Sequence, residues 1–410
     1  GDKSLKRVVS DAGTSYDAPA ANTSAFVRIT NTQLTGAGPN TGNSNSNADD
    51  VTAYISNSSN FTTSFTIGRP AAATGNTRVA WEIIEYQGPV GGENEIIVRS
   101  QTAVAMPAVN TAVNTPTITG VVDDADVVAF ITGQTNEDAG RNSFNIGLST
   151  AAWTGGGTDQ ITFTRGGTGS ISDISYALVE FTGSNWQVQR IEYTYTGTAA
   201  VARPLSNVVN SLERAFVHAQ KRTSQNNHAD FGHEVWLSSV GFVSFELDPA
   251  ASTPAGHTSV AWVIENTQAL GERMVVHRSN TTIPSAGTGP ESNLIPIGTT
   301  LDDLSIAALF VNNRSTESQR SWPEPILAAT LISTTQYELW RSDTTADLNV
   351  RTEVVEWPTA ARKLTQNYYR IYEDDPTSIT PSTAWPGSPS ASGANTKMTS
   401  NNTTILYRSK

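Results

Sequence analysis

One eight-residue pattern recurs along the chain, and it constrains the fold more than any other feature. It reads Val79-Ala80-Trp81-Glu82-Ile83-Ile84-Glu85-Tyr86, then Ile174-Ser175-Tyr176-Ala177-Leu178-Val179-Glu180-Phe181, then Val350-Arg351-Thr352-Glu353-Val354-Val355-Glu356-Trp357. A fourth copy, Val260-Ala261-Trp262-Val263-Ile264-Glu265, has one residue fewer between aromatic and glutamate. The glutamates stand 95, 85 and 91 residues apart (85 to 180, 180 to 265, 265 to 356), a period that suits one small sandwich each. The shortened copy would turn part of its pattern to the other face of a strand unless a bulge absorbs the difference.

Other strands recur in the same order around this anchor. After three copies comes a strand ending in arginine, at Arg99, Arg190 and Arg278. Before each anchor lie alternating segments such as Ser64-Phe65-Thr66-Ile67, Ile161-Thr162-Phe163-Thr164, Val243-Ser244-Phe245-Glu246-Leu247 and Tyr337-Glu338-Leu339-Trp340, with the period of two of half-buried strands. Earlier strands are expected at 51–55, 144–148, 235–237 and 326–332, and leading ones at 25–29, 127–131, 215–219 and 306–311. Glycine-rich runs such as Gly155-Gly156-Gly157 separate them and supply turn conformations that other residues resist. No helical period stands out, and 214–219 reads as strand. The expectation is an all-β chain of about four tandem antiparallel β-sandwich modules, Ig-like or jelly-roll-like, at 20–101, 117–200, 203–284 and 295–362. Outside them stand an N-terminal orphan strand within 1–19 and an incomplete β segment at 363–410.

The orphan ends invite assembly. Leu5, Arg7 and Val8 resemble the arginine-bearing strand of a repeat whose body is missing, and Ile405 and Tyr407 belong to a lone closing strand. Unpaired strand edges are liabilities unless a neighbour covers them, and strand exchange between copies would satisfy both ends. A fragment of a longer repeat protein is the alternative.

The anchor with its arginine strand resembles tandem repeat modules of uncharacterised secreted bacterial surface proteins and of some phage virion proteins, and 366–386, with Tyr368-Tyr369-Arg370-Ile371-Tyr372 and Ala384-Trp385-Pro386-Gly387, is similar to another module of such surface proteins. The resemblance carries no catalytic motif and implies a structural or adhesive role.

Composition narrows the function classes. Only 16% of the residues are charged and 37% are apolar, while Thr, Ser, Asn, Gly and Ala fill much of the rest, an extracellular character unlike a typical cytoplasmic enzyme. A formal charge of −12 lacks the phosphate-neutralising surface that nucleic-acid binding needs. The absence of cysteine removes disulfides and thiolate chemistry, and no apolar run is long enough for a membrane span. The chain opens on Gly1 with no signal-peptide core, which reads as a processed or trimmed form.

No catalytic residue or cofactor is expected. The anchor glutamates lie one module apart, whereas paired-carboxylate chemistry needs the two groups within about 5–10 Å, so each glutamate is expected to pair with an arginine of the adjacent strand. All five histidines (His218, His228, His233, His257, His277) fall in the third module, and His228-Ala229-Asp230-Phe231-Gly232-His233-Glu234 matches no established metal-site spacing. The acidic runs Asp49-Asp50, Asp123-Asp124 with Asp126, Asp302-Asp303 and Asp374-Asp375 are candidates for loop-bound calcium without the spacing of a calcium loop. Trp153 and Trp322 are candidate glycan contacts. The leading expectation is a structural subunit of an extracellular filament, appendage or surface assembly, with copies of itself as partners. The alternatives are a phage virion surface or tail protein and a carbohydrate-binding adhesin whose partner is a cell-surface glycan.

Overall fold

A computed structural model describes residues 24–33, 52–57, 65–70, 77–137, 144–225, 232–249, 251, 253–268, 273–285, 291–315, 327–341, 347–358, 362–371, 378–379 and 404–406. The chain is all-β, with antiparallel sheets throughout. Each anchor is the middle strand of a triplet. The anchors are Thr77–Tyr86, Ser172–Glu180, His257–Asn266 and Leu348–Glu356.

On one edge each anchor pairs with an inner strand, in turn Ala25–Gln33, Val127–Gln134, Ala215–Thr223 and Ala307–Ser315. On the other edge lies a flanking strand. For the second to fourth anchors it is Ile97–Met106, Trp186–Thr194 and Val275–Ile283. These are the arginine strands, and each bonds to the anchor that follows it in sequence, not to the one before. Boundaries drawn at 101, 200 and 284 therefore group each flanking strand with the wrong anchor. The connections 87–96, 181–185 and 267–274 are long enough to cross over, since even five extended residues span about 17 Å against about 10 Å between packed sheets.

The first anchor's flanking position is filled from the other end of the chain, by Arg362–Ile371, with Lys363 opposite Glu85 and Ile371 opposite Thr77. The segment expected to be an incomplete terminal piece thus completes the first set of strands.

A second, smaller triplet accompanies each anchor triplet. These are Ser378–Ile379 with Thr66–Gly68 and Tyr54–Asn57, then Ala112–Asn114 with Gln160–Arg165 and Ser149–Thr154. Val201–Pro204 with Phe242–Leu247 and His233–Ser239, and Glu291–Pro296 with Gln336–Arg341 and Ala328–Leu331, follow. Aromatic contacts bind the two layers: Phe65 meets Trp81 at 5.2 Å, Phe163 meets Tyr176 at 5.4 Å, and Tyr193 meets Phe245 at 5.4 Å. Leu309, Tyr337, Leu339 and Val354 do the same in the last set. The residues expected as a strand at 144–148 instead form one helical turn, Phe144–Gly147, ahead of the strand Ser149–Thr154.

The sets are not independent beads. The anchor His257–Asn266 is buried at every position, so its outer face is covered as well as its sandwich face. One apolar cluster, containing Phe26, Ile84, Phe130, Leu178, Phe216, Trp262, Phe310 and Val355, draws on all four sets. The four tandem sandwiches expected from the period therefore share a core in addition to their own. The physical cause is visible in runs such as Val260-Ala261-Trp262-Val263-Ile264, which are apolar on both sides of the pleat and so demand two covers.

Trp262 shows the consequence of its shortened spacing. Its strand runs in unbroken register against Ala215–Thr223. No bulge absorbs the missing residue there, and Trp262 joins the shared cluster while Ala261 takes the sandwich-facing place. The register breaks fall in the second anchor, beside Tyr176 and Val179.

Candidate functional site

Neighbouring sets are joined by one recurring device. In a smaller triplet the strand nearest the next set offers a backbone N–H, and a polar side chain of that next set accepts it. Ala151 N–H donates to Gln220 Oε1 at 2.9 Å, Val235 N–H to Asn312 Oδ1 at 2.9 Å, Ile55 N–H to Ser175 Oγ at 3.1 Å, and Ala329 N–H to Thr30 Oγ1 at 3.1 Å. These four clasps join second to third, third to fourth, first to second, and fourth to first. The sets therefore close into a ring. Two acceptors also donate back: Asn312 Nδ2 to Val235 O at 3.0 Å and Thr30 Oγ1 to Ala329 O at 3.3 Å, while Gln220 Nε2 donates to Ala129 O at 2.6 Å.

The inner strands face the middle of this ring. Their fourth residues, counted from Ala25, Val127, Ala215 and Ala307, are Arg28, Phe130, His218 and Phe310, and they meet. The Arg28 guanidinium lies 4.0 Å from the Phe310 ring centroid, Phe130 and His218 stand 4.7 Å apart, and His218 and Phe310 stand 6.5 Å apart. Phe26 stacks on Phe130 at 4.9 Å.

Arg28 pairs with Glu82 at 2.9 Å, and Arg278 with Glu353 at 2.8 Å. Glu82 and Glu353 occupy equivalent places, three residues before the anchor glutamate. In the fourth set the cation comes from the flanking strand, while the anchor glutamate Glu356, expected to pair with an arginine there, meets His277. In the first set that strand carries Gln366 opposite Glu82, and the inner strand supplies Arg28 instead. Burial pushes both carboxyls above the usual carboxylate range, opposed by the paired arginine.

The anchor glutamates hold loops rather than reacting groups. Glu180 accepts from the N–H groups of Val122 and Asp123, both at 2.8 Å, and from Arg99 Nε at 2.5 Å. Glu265 accepts from Asn210 N–H at 2.6 Å, and Glu356 from Asp302 N–H and His277 Nε2, both at 2.7 Å. Each fixes the segment entering the inner strand of its own set. Glu85 accepts from Gln87 Nε2 at 2.9 Å.

Beside the inner strands lies a cavity of about 290 Å³, lined from all four sets: Thr30 and Thr52, Gln134 and Ser149, His218, Gln220, Lys221 and His233, and Asn312 and Asn313 are its polar residues. His218 is held down to about 3 by burial and the charge of Arg28. His233 is held well below the usual imidazole range by burial, then by Lys221 and His257. Its Nδ1 lies 2.7 Å from Ser259 Oγ. No motif signalled this site, because each set contributes only two to four ordinary polar residues.

The remaining candidates disperse. His233 and Glu234 point apart, Glu234 meeting Arg314 at 2.8 Å, and His277 sits with Glu356. His228 and Asp230 lie outside the described residues. Among the described residues no group of three or more His, Asp or Glu side chains could hold a metal. Asp123 and Asp303 cap short 3-10 turns by accepting from Ala125 and Ser305 N–H, and Asp124 accepts from the indole of Trp153 at 2.7 Å. Asp49, Asp50, Asp374, Asp375 and Trp322 lie outside the described residues, as do Leu5, Arg7, Val8 and Tyr407. Ile405 lies opposite Tyr369, on the outer edge of the closing strand. No described helix is long and apolar enough to cross a membrane. Comparison with protein-family models, curated proteins and solved structures returns no match.

Proposed function

We propose that this chain is a structural subunit of an extracellular filament, appendage or surface assembly, whose copies join by exchanging the strands that close the ring. One observation carries the reading: the first set of strands is completed by Arg362–Ile371 and Ser378–Ile379, separated from it in sequence by the three other sets. Every set takes its flanking strand from the set before it, so the same donation made to a second copy would reproduce the same hydrogen bonds and open the ring into a head-to-tail array. A low share of charged residues suits a protein used for attachment outside the cell.

Because the native chain has no cysteine, strand exchange can be read by disulfide trapping. Thr77 and Ile371 are register partners. Chains carrying only Thr77→Cys and chains carrying only Ile371→Cys are mixed, assembled and oxidised. Exchange gives a covalent heterodimer, and the double variant gives oligomeric ladders. If assembled material yields no interchain product while the double variant forms its bond within one chain, the exchange reading is refuted.

A further inference from the structure

We propose that Thr299 is an activated hydroxyl that accepts acyl groups from small activated esters, with His277 as its general base and Glu356 as the residue that positions the imidazole. Two hydrogen bonds form the relay. Thr299 Oγ1 lies 2.8 Å from His277 Nδ1, and His277 Nε2 lies 2.7 Å from Glu356 Oε2.

A carboxylate only accepts hydrogen bonds. The imidazole proton therefore sits on Nε2, Nδ1 presents its lone pair, and the Thr299 hydroxyl donates to it. An imidazole held this way takes the proton from an attacking hydroxyl. The other Glu356 oxygen accepts from Asp302 N–H at 2.7 Å, so the carboxylate that orients the ring is itself fixed. The side chains of His277 and Glu356 are 16% and 7% exposed, whereas Thr299 is exposed, next to Gly298 in the left-handed conformation at φ 88°. The relay is shielded at its base and open at its reacting end.

The other sets show that the fold does not require this chemistry here. Two residues on from the register partner of each anchor glutamate, the flanking strands carry Thr365, Arg99, Gln189 and His277. Of the four, only histidine is a general base. Asn207 of the third set stands where the fourth has Thr299, each two residues after the one, Leu205 or Ile297, whose N–H donates to the turn before the next sandwich strand. There Gln189 bonds both the N–H and the C=O of Asn207, which meets the structural need without a hydroxyl or an imidazole.

In the acyl step Thr299 Oγ attacks the ester carbonyl as its proton passes to His277 Nδ1. The bond from Oγ to the acyl carbon forms, the bond to the leaving oxygen breaks, and the imidazolium returns the proton to that oxygen. Water, deprotonated by the same nitrogen, then releases the acid and restores the hydroxyl.

The test treats the full chain with para-nitrophenyl acetate, follows nitrophenolate release and maps acetyl groups on peptides. Thr299 should acquire acetyl in preference to its exposed neighbour Thr300, or the ester should turn over, and Thr299→Val should remove either signal. His277→Gln installs the residue that the third set carries at this place, so it should fold by circular dichroism, and it should slow the reaction about 100-fold, the lower scale of general base catalysis. Glu356→Gln should slow it about tenfold or more and remove the downfield NMR signal of the His277 Nε2 proton, which a carboxylate that only held the loop would not govern. Acetyl spread evenly over exposed hydroxyls, a folded His277→Gln that reacts as fast as wild type, or no reaction that depends on Thr299 would overturn the proposal.

Discussion

Phe130→Ala tests whether the four sets of strands share one core. The Phe130 side chain is 1% exposed, stacks on Phe26 from the first set and meets His218 from the third. Truncating a buried phenylalanine costs about 3–5 kcal/mol through lost transfer energy and the cavity left behind. Two aromatic contacts, each worth about 0.5–1.5 kcal/mol beyond area, place this site in the upper part of that range. Urea unfolding should report the loss, but the location of the damage discriminates better. Hydrogen exchange read by mass spectrometry should quicken in Ala25–Gln33, Val127–Gln134 and Ala215–Thr223 together, because Phe26 and His218 border the vacated space, and next in Ala307–Ser315, whose Phe310 packs on His218. Phe245→Ala, a buried side chain confined to the third sandwich, should quicken residues 186–266 first. If Phe130→Ala accelerates exchange only in 97–180, the sets are separate domains and the shared-core argument fails.

Other side chains give sharper local tests. Gln220→Ala leaves Ala151 N–H and Ala129 C=O without their partners, so a loss of about 2–4 kcal/mol is expected in denaturant titration; a change under about 0.5 kcal/mol would remove the clasp from the account. Glu180→Ala strips two backbone amides and Arg99 of a buried carboxylate and should cost about 3–5 kcal/mol, with Glu180→Gln milder because one acceptor oxygen survives. For His218, the folded pKa near 3 lies below the unfolded value of about 6.5. The unfolded chain then binds more protons across that window, and stability falls as pH drops through it, by up to about 1.4 kcal/mol per pH unit. Glu82 and Glu353, raised in the folded state, act oppositely and lose stability as pH rises above the unfolded carboxylate range. His218→Gln should flatten the acid limb between about pH 6 and pH 4, and an unchanged slope would mean that this imidazole is not buried neutral.

Much of the strand inventory was legible because alternation and glycine punctuation are local signals. The anchors, the sandwich partners Phe65, Phe163, Phe245 and Tyr337, and the strand after Arg214 fall where the pattern puts them. Pairing was less legible. Nothing in Ile97-Val98-Arg99 says whether it bonds to the anchor before or after, since connections of five to ten residues reach both. Arginine–glutamate pairing was anticipated in kind, yet Arg99 meets Glu180 and not Glu85. The closing strand hid for a related reason. It lacks an arginine at the place equivalent to Arg278, and its substitute, Arg28, comes from a different strand. The cavity was invisible because it is a property of closure, and closure is written in no single segment.

Likeness of the closing clasp to the one before it bears on when the ring would open. Thr30 clasps Ala329 through both its N–H and its C=O, as Asn312 clasps Val235, so the junction made last along the chain is built like the one before it. Strand exchange between copies would recreate these contacts and gain no new bond. Connectivity and concentration must then set the balance. Five residues, 357–361, join the fourth anchor to the closing strand, the same number as join the second anchor to the flanking strand of the third. A short tether of this kind gives an effective concentration of the order of millimolar. Dilute chains at micromolar concentration should therefore remain closed and monomeric in light scattering, and head-to-tail species should grow only when local concentration passes the tether's value. Shortening 357–361 by three residues should strain the closed form and shift the balance toward oligomers at fixed concentration. A shortened chain that remains folded and strictly monomeric at millimolar concentration would show that the closing strands serve the ring alone.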